Sequence, residues 1–379
     1  MCPSFEKVSR KEPGSNLRVH QGVQLLVENG VNKVPGEYIL PAEERPEATH
    51  IRSLPAKVRV KLPTIDVAKL LGPNRLNELN SLAHACEQFG FFQLVNHGVE
   101  EHVMKSMVEV SRRFFDLPLE EKSQYMSSDV RASVRYGTSF NLNKDTVLCW
   151  RDFLKLTCQP LMDVIPYWPS SPFDFRKLAA AYASKTQKLF FVLVEAIMES
   201  LLMLGGRGGS ETESEEKEHL LRSFNEGSQL MVVNCYPPCP NPELTLGIPP
   251  HSDYGFLTIL LQDEVEGLQI QHAGKWLTVE PVPDSFVVNV GDHLEIFSNG
   301  RYKSVIHRAL VNQIKPRISV ASLHSLPLTQ KVRPWERLID TANPIGYMET
   351  DFATFMEYLS TCDLKKKDFL ESRKLLRSN

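Results

Sequence analysis

The residues best suited to chemistry in this sequence are two histidines and one aspartate, His251, Asp253 and His307. Two neutral imidazoles and one carboxylate can bind one face of a small divalent metal ion and leave the opposite face open. In an extended segment, residues i and i+2 project to the same side, so His251 and Asp253 can reach one ion. The fold must then bring His307 back to them from a later segment. This pattern predicts a non-haem Fe(II) centre.

A second pattern, Arg317 and Ser319, follows the last of these histidines. The planar, permanently charged guanidinium of an arginine suits bidentate binding of a carboxylate. An H-x-D motif alone occurs by chance in many chains. Its combination with a later His-Arg pair and an R-x-S triplet is far rarer and predicts a metal site beside a carboxylate site. The other histidine that attracts attention, His97, lies in a turn-like Asn-His-Gly sequence, and we expect it to be structural.

Length and composition restrict the class of protein that carries these sites. The chain has 379 residues, of which 42% are hydrophobic and 23% charged, with a formal net charge of −3. These values are typical of a soluble globular protein with a sizeable core. The chain has no basic block that could follow a phosphate backbone, so we expect no nucleic-acid partner. We take a monomer as the default.

Targeting signals are also not expected. Met1–Asn16 lacks the apolar core of a secretory signal. The most apolar stretch, Leu189–Leu204, is short and contains two glutamates, so we expect a buried helix rather than a membrane span. The seven cysteines are odd in number and scattered, which favours reduced thiols in a cytoplasmic protein.

The elements that must position the site change in character along the chain. Apolar residues at helical spacing predict helices, and a short apolar run predicts a buried strand. The predicted helices are Asn74–Phe89, Glu101–Phe115 and Phe173–Leu204, and the strand is Phe91–Val95. Gly205–Glu218, rich in Gly, Ser and Glu, is predicted to be an exposed loop. The aromatic segment Arg131–Leu156 suits a strand pair that either lines a pocket or belongs to the core, and both interpretations remain open.

From Phe224 onward, apolar residues alternate as they do in strands. The predicted strands are Leu230–Cys235, Leu257–Leu261, Leu268–Gln271, Trp276–Val279, Phe286–Val290, Val305–Val311 and Ser319–Ser325. Many short strands at close spacing predict an antiparallel sandwich or jelly roll, whose interior could gather three separated ligands. Trp335–Leu376 is predicted to be helical. We therefore divide the chain into an N-terminal extension (1–58), a helical and β region (59–215), a jelly-roll core (216–330) and C-terminal helices (331–379).

With these residues in place, the chain resembles the plant family of Fe(II)- and 2-oxoglutarate-dependent dioxygenases, which includes flavanone 3-hydroxylase, anthocyanidin synthase and the downy-mildew-resistance oxygenases. The resemblance covers about Leu62 to Leu326. It rests on the segments Phe89–Gly98, Asn234–Pro240, Pro250–Asp253, Asn289–Asp292, Ser298–Arg308 and Arg317–Ser319. It implies a mainly β fold with flanking helices around a double-stranded β-helix, or distorted jelly roll.

The resemblance also implies roles for individual positions. Iron would be held by His251, Asp253 and His307. The distal carboxylate of 2-oxoglutarate would be bound by Arg317 and Ser319, with a hydrogen bond from Tyr236, and Asn234 would lie beside the co-substrate. The expected substrate-pocket residues are Tyr136, Phe140, Leu323 and Ser325. Ascorbate is expected to stimulate the reaction.

The implied activity is oxidation of a hydrophobic small-molecule plant metabolite, such as a flavonoid or phenolic, with O2. Hydroxylation is the expected outcome, and 2-oxoglutarate is converted to succinate and CO2. Two alternatives remain. One is a non-catalytic, metal-holding jelly roll that senses a small molecule or a partner. The other is an Fe(II) oxidase of the same fold that does not use 2-oxoglutarate.

Overall fold

The structure, a computed structural model, describes residues 22–46, 59–139, 146–204, 211–361 and 369–375. Within these ranges the chain forms helices that are separated by strands and by short 3-10 turns. The helices are α1 (Val23–Glu28), α2 (Val67–Leu70), α3 (Arg75–Gln88), α4 (Glu101–Phe115), α5 (Leu119–Ser123), α6 (Leu161–Val164), α7 (Phe175–Leu204), α8 (Glu211–Asn225), α9 (Asp292–Phe297), α10 (Phe352–Thr361) and α11 (Phe369–Arg373).

The strands form two sheets. They are β1 (Arg59–Val60), β2 (Thr64–Asp66), β3 (Phe91–Val95), β4 (Val134–Gly137), β5 (Asp152–Thr157), β6 (Ser228–Tyr236), β7 (Ile248–His251), β8 (Leu257–Gln262), β9 (Leu268–His272), β10 (Lys275–Val279), β11 (Phe286–Val290), β12 (His307–Ala309) and β13 (Arg317–Ser325). The larger sheet has the order β2-β3-β11-β8-β13-β6-β5-β4, and the smaller has the order β1-β10-β9-β12-β7.

The chain alternates between these sheets as it passes through the core. Strands β6, β8, β11 and β13 lie in the larger sheet, whereas β7, β9, β10 and β12 lie in the smaller one. This alternation winds the chain around a common interior, so residues distant in sequence face each other there. The predicted double-stranded β-helix with flanking helices is confirmed.

Helices α3, α4 and α7 pack together, and α4 and α7 cover the outer face of the larger sheet. Val320 and Val233 of the sheet share one buried apolar cluster with Phe114 and Leu193 of the helices. The predicted helix Glu101–Phe115 is confirmed with the same bounds, and the other two begin one or two residues later than predicted. Among the helices in the described ranges, none combines the length and apolarity that a bilayer crossing requires.

The described part of the predicted N-terminal extension, residues 22–46, packs against the barrel. Helix α1 begins where the buried carboxylate of Asp152 accepts the backbone N–H groups of Val23 at 2.7 Å and of Gln24 at 2.9 Å. Farther along, the ring of Tyr38 meets Trp150 edge-on at 5.4 Å. This part of the extension is therefore held by buried contacts.

The loop predicted over Gly205–Glu218 is wrong from residue 211 onward, because α8 begins at Glu211. The first residues of this segment are rich in Gly, whereas the following Glu, Lys and Leu residues are good helix formers. The end of α8 is then fixed by packing, since Phe224 contacts Phe190 and Phe256. The predicted boundary between residues 215 and 216 thus falls inside a helix.

The prediction that Trp335–Leu376 is helical is wrong for residues 339–351, which form no helix. The carboxylate of Asp340 accepts the N–H groups of Ala342 and Asn343, which closes a turn in place of a helix. Pro344 follows and has no N–H to donate. Two elements of the core were missed: β7, which contains two consecutive prolines, and α9, whose start at Gly291-Asp292 resembles a simple turn.

Candidate metal and co-substrate site

The two sheets bring the three predicted metal ligands together. His251 is the last residue of β7, and His307 is the first of β12; these residues pair in register. Their ring centroids are 4.2 Å apart. Asp253 lies just beyond the end of β7, so its side chain is directed by an irregular segment and not by a continuous strand. Its Oδ1 is 3.7 Å from Nε2 of His251 and 3.8 Å from Nε2 of His307.

Both imidazoles are oriented through their second nitrogen. Nδ1 of His251 lies 2.9 Å from the carbonyl oxygen of Pro249, and Nδ1 of His307 lies 3.1 Å from that of Val305. A carbonyl only accepts, so each Nδ1 carries the proton and each Nε2 presents a lone pair. Such backbone bonds are the usual means of fixing the tautomer of a metal-binding histidine.

The carboxylate of Asp253 is held on one side only. Its Oδ2 accepts a hydrogen bond from Thr258 Oγ1 at 2.6 Å and another from Asn289 Nδ2 at 2.8 Å. Oδ1 is left facing the two imidazoles. Burial opposes ionisation of this carboxyl, but the two histidines and these two donors hold its pKa below the usual value.

This donor set fits a divalent metal ion of the non-haem iron type. The three ligand atoms lie within 4.8 Å of one another, and within the described ranges no other His, Cys, Asp or Glu side chains form such a group. His97 is elsewhere: it accepts from Val99 N and contacts Asp284 O, in the turn that ends β3.

The predicted carboxylate-binding residues lie on adjacent strands of the larger sheet. Strands β13 and β6 pair so that Arg317 faces Tyr236 and Ser319 faces Asn234. Arg317 is 3% exposed, and its Cζ lies 5.1 Å from the centre of the Tyr236 ring. Paired residues of neighbouring strands project from the same face, so these four side chains converge.

The Arg317 guanidinium is fixed by two further contacts. Nε donates to the carbonyl oxygen of Val265 and Nη2 to Oε1 of Gln262, both at 3.0 Å. Gly267 makes room for it, since a Cβ there would lie 2.8 Å from Arg317 Cδ. Gly247 does the same for Tyr236, with a hypothetical Cβ 2.5 Å from Cδ1.

One cavity, partly open to solvent, contains both the metal-binding triad and the carboxylate-binding residues. All seven predicted metal and co-substrate residues line it, together with apolar side chains that include Phe91, Leu260 and Leu268. A guanidinium and a metal-binding triad in one cavity match a ligand with a carboxylate at one end and a chelating group at the other.

The predicted substrate residues are not brought together in the same way. Tyr136 pairs with Leu154, which pairs with Val233, and all three belong to the helix-covered core. The Tyr136 hydroxyl donates to Asp152, 3.3 Å away. The alternation of side chains along a strand therefore places Tyr136 on the face away from the cavity. Phe140 lies outside the described residues.

Leu323 and Ser325 lie farther along β13. Leu323 follows Ser319 and Ala321 at two-residue intervals, so it projects from the cavity face, where it is half-buried. Ser325 is buried and its hydroxyl lies 2.7 Å from Nδ1 of His293. Neither belongs to the lining of the cavity.

Sequence reasoning missed several side chains that support or border the site. Thr258 and Asn289 hold Asp253. Thr258 carries no signal beyond its polarity within an apolar strand, and Asn289 lies in a segment that supports the resemblance but was given no role there. Phe153 pairs with Asn234, so it is on the cavity side, whereas its neighbour Leu154 is in the core. The aromatic segment Arg131–Leu156 therefore has residues on both faces of the sheet, and the alternation of side chains along each strand decides which residues are in the core.

Comparison with known proteins agrees with this geometry. Residues 227–325 match the family model described as the 2OG-Fe(II) oxygenase superfamily, and residues 62–172 match that of the non-haem dioxygenase in morphine synthesis N-terminal region. Protein DMR6-like oxygenase 2 of Arabidopsis thaliana is 40% identical over 329 residues, which are 86% of this chain and 90% of that protein. Flavanone 3-dioxygenase 2 of Oryza sativa subsp. japonica is 39% identical over 349 residues, 92% of this chain and 96% of that protein. The crystal structure of JOX2 in complex with 2OG, Fe and JA superposes with a TM-score of 0.80 at 32% identity, covering 94% of this chain and 98% of that one.

The fold and the site define a non-haem iron oxygenase built on a double-stranded β-helix. The chain belongs to the 2OG-Fe(II) oxygenase superfamily. It is a 2-oxoglutarate-dependent dioxygenase, and its cofactor and co-substrate are Fe(II) and 2-oxoglutarate.

Proposed function

We propose that His251, Asp253 and His307 hold the iron and that this enzyme oxidises, by hydroxylation, a hydrophobic small-molecule plant metabolite such as a flavonoid or phenolic. The single observation that carries the residue assignment is the convergence of three metal-binding atoms and one fixed guanidinium in the same cavity. Residues 216–330 would then supply every ligand of iron and of the co-substrate.

Bound iron would supply the activation of O2, driven by conversion of 2-oxoglutarate to succinate and CO2. The protein residues act by binding and orientation. Arg317 and Ser319 bind the distal carboxylate of 2-oxoglutarate, and Tyr236 adds a hydrogen bond to it. Asn234 lies beside the co-substrate. The bonds from Thr258 and Asn289 to Asp253 keep one carboxylate oxygen directed at the metal.

The substrate class is inferred from relatives and from the cavity face. Relatives include flavanone 3-dioxygenases and a codeine O-demethylase. Farther along the same face of β6 and β13, the half-buried side chains Leu230, Val232 and Leu323 offer apolar contact. We also propose that the reaction belongs to specialised metabolism and takes place in the cytoplasm. Ascorbate would act as a stimulant that keeps iron reduced.

The test is succinate release by purified protein supplied with Fe(II), 2-oxoglutarate and O2. Wild type should release succinate, and Asp253→Ala should lose both iron and activity. A matched control is Asp340→Ala, which removes a carboxylate that closes a turn and does not line the cavity. Substrate oxidation by Asp253→Ala at the wild-type rate, without added halide or carboxylate, would falsify the metal assignment.

The same assay decides between the alternatives. A metal-holding sensor would bind iron and release no succinate. An oxidase that ignores 2-oxoglutarate would consume O2 without converting labelled 2-oxoglutarate. The substrate itself is sought by incubating plant extract with the enzyme and isotopically labelled O2 and screening products by mass.

A further inference from the structure

Basic side chains lie beside the cavity, on the strands that extend the larger sheet beyond the co-substrate residues. Strand β5 pairs with β6 so that Phe153 faces Asn234 and Lys155 faces Val232. Asn234 in turn faces Ser319 on β13. Side chains paired across neighbouring strands share a face, so Phe153 and Lys155 project from the cavity face of the sheet.

Arg151 links this region to the site. It is 8% exposed, and its Nη1 donates to Oδ1 of Asn234 at 2.7 Å. Its Cζ lies 5.0 Å from the centre of the Phe153 ring, and Cζ of Arg135 lies 5.2 Å from the same ring. The Nε of Arg151 is buried and has no hydrogen-bond partner among the described residues. A buried guanidinium with an unused donor is costly unless an anion completes its surroundings.

Lys155 adds a second incompletely neutralised cation. Its Nζ donates to the carbonyl oxygen of Val130 at 2.7 Å rather than to a carboxylate. Burial, and then the charge of Arg135, lower the pKa of Lys155 to about 8, while the charge of Asp129 acts in the opposite direction. The side chains on this part of the sheet face, beside the cavity, therefore carry positive charge next to the aromatic ring of Phe153.

We propose that Arg151 and Lys155, with Arg135 beside them, bind a carboxylate of the oxidised substrate, so that this substrate is an apolar small-molecule acid. Phe153 would contact its apolar body. The carboxylate would lie about 10 Å from Ser319, because two strand spacings separate β5 from β13. The proposal rests on the proposed function and narrows its substrate class.

The geometry also allows a more limited role, in which Arg151 only orients the Asn234 amide toward 2-oxoglutarate. The two roles differ in what they discriminate. If Arg151 belongs to a substrate subsite, the enzyme binds an acid more tightly than the neutral amide with the same carbon skeleton. If Arg151 only supports Asn234, it changes the affinity for 2-oxoglutarate, and the acid and the amide bind equally well.

The test compares matched acids and primary amides: 2-naphthoate with 2-naphthamide, cinnamate with cinnamamide, and phenylacetate with phenylacetamide. Dissociation constants are measured calorimetrically on full-length protein loaded with Fe(II) and 2-oxoglutarate without O2. We expect wild type to bind at least one acid about tenfold more tightly than its amide, the size of one charge-assisted hydrogen bond. Lys155→Met and Arg151→Gln should each move that ratio toward one. Lys185→Met, which removes a surface lysine paired with Glu100, should leave it unchanged.

The proposal is overturned if no acid binds better than its amide, including the case in which no probe binds. It is also overturned if the acid preference survives in the Arg151→Gln, Lys155→Met double variant. If Arg151→Gln changes only the affinity for 2-oxoglutarate, the role of Arg151 is limited to orienting the Asn234 amide. Succinate release is a separate measurement. If wild type prefers acids but releases no succinate, only the proposed catalysis is contradicted. If it releases succinate but shows no preference for acids, only the subsite is contradicted.

Discussion

Thr258→Val is the sharpest probe of how the iron site is held. The substitution keeps the shape of a buried side chain and removes the hydroxyl that donates to Asp253 Oδ2 at 2.6 Å. A hydrogen bond to a charged group contributes about 1.5–3 kcal/mol, and support of this kind typically changes metal affinity by about 10–100-fold. Asn289 still holds Oδ2 at 2.8 Å. We therefore expect an effect at the lower end of that range, with the Fe(II) dissociation constant raised about tenfold.

Two measurements together check this expectation. Anaerobic titration of Fe(II) against a chelating dye gives the dissociation constant, and succinate release as a function of Fe(II) gives the concentration for half-activation. Both should rise together, while activity at saturating Fe(II) largely recovers. Thr350→Val is the matched control, because the Thr350 hydroxyl is buried without a partner. If the two variants bind iron equally well, the hydrogen bond from Thr258 to Asp253 has no role in metal binding.

Three further outcomes are expected. Arg317→Met should raise the dissociation constant of 2-oxoglutarate by about 10–100-fold, because a charge-assisted pair is lost. The affinity for Fe(II) should not change. An equal loss of affinity for 2-oxoglutarate and for Fe(II) would contradict the separation of the two sites. Gly267→Ala should raise the same constant by displacing the guanidinium, since its Cβ would lie 2.8 Å from Arg317 Cδ, whereas Gly36→Ala has open space and should be neutral. Burial lowers the pKa of His293 and His324 to about 3, so each stays neutral when folded and protonates when unfolded. Stability should therefore fall as pH drops from about 6.5 toward 3, by up to about 1.4 kcal/mol per pH unit for each group. In urea unfolding, His324→Gln should weaken the dependence of the free energy of unfolding on pH. An unchanged pH dependence would refute the inference that folding keeps His324 neutral.

The proposed metal and co-substrate residues were accessible from sequence because their chemistry is local. An imidazole, a carboxylate and a guanidinium are recognisable wherever they stand, and the H-x-D and R-x-S spacings follow from short backbone segments. Strand positions were likewise readable from alternation. The two elements missed within the core, β7 and α9, have local sequences that resemble turns, and long-range pairing determines their form.

The substrate side could not be read in this way. Tyr136 and Phe153 are both aromatic residues on neighbouring strands, but one projects into the helix-covered core and the other toward the cavity. Only the pairing of β4, β5 and β6 decides between them, because a shift of one residue exchanges the two faces of a strand. The approach of Arg151 to Asn234 is likewise a product of that pairing.

By itself, the sequence determined which chemical groups are available for the proposed binding of iron and a dicarboxylate, since those groups depend on residue type and short spacing. The tertiary structure alone decided that they share one cavity, which oxygen of Asp253 faces the histidines, and which charges border the substrate side. Those features depend on contacts between strands far apart in the chain, and such contacts form only when the two sheets close around a common interior.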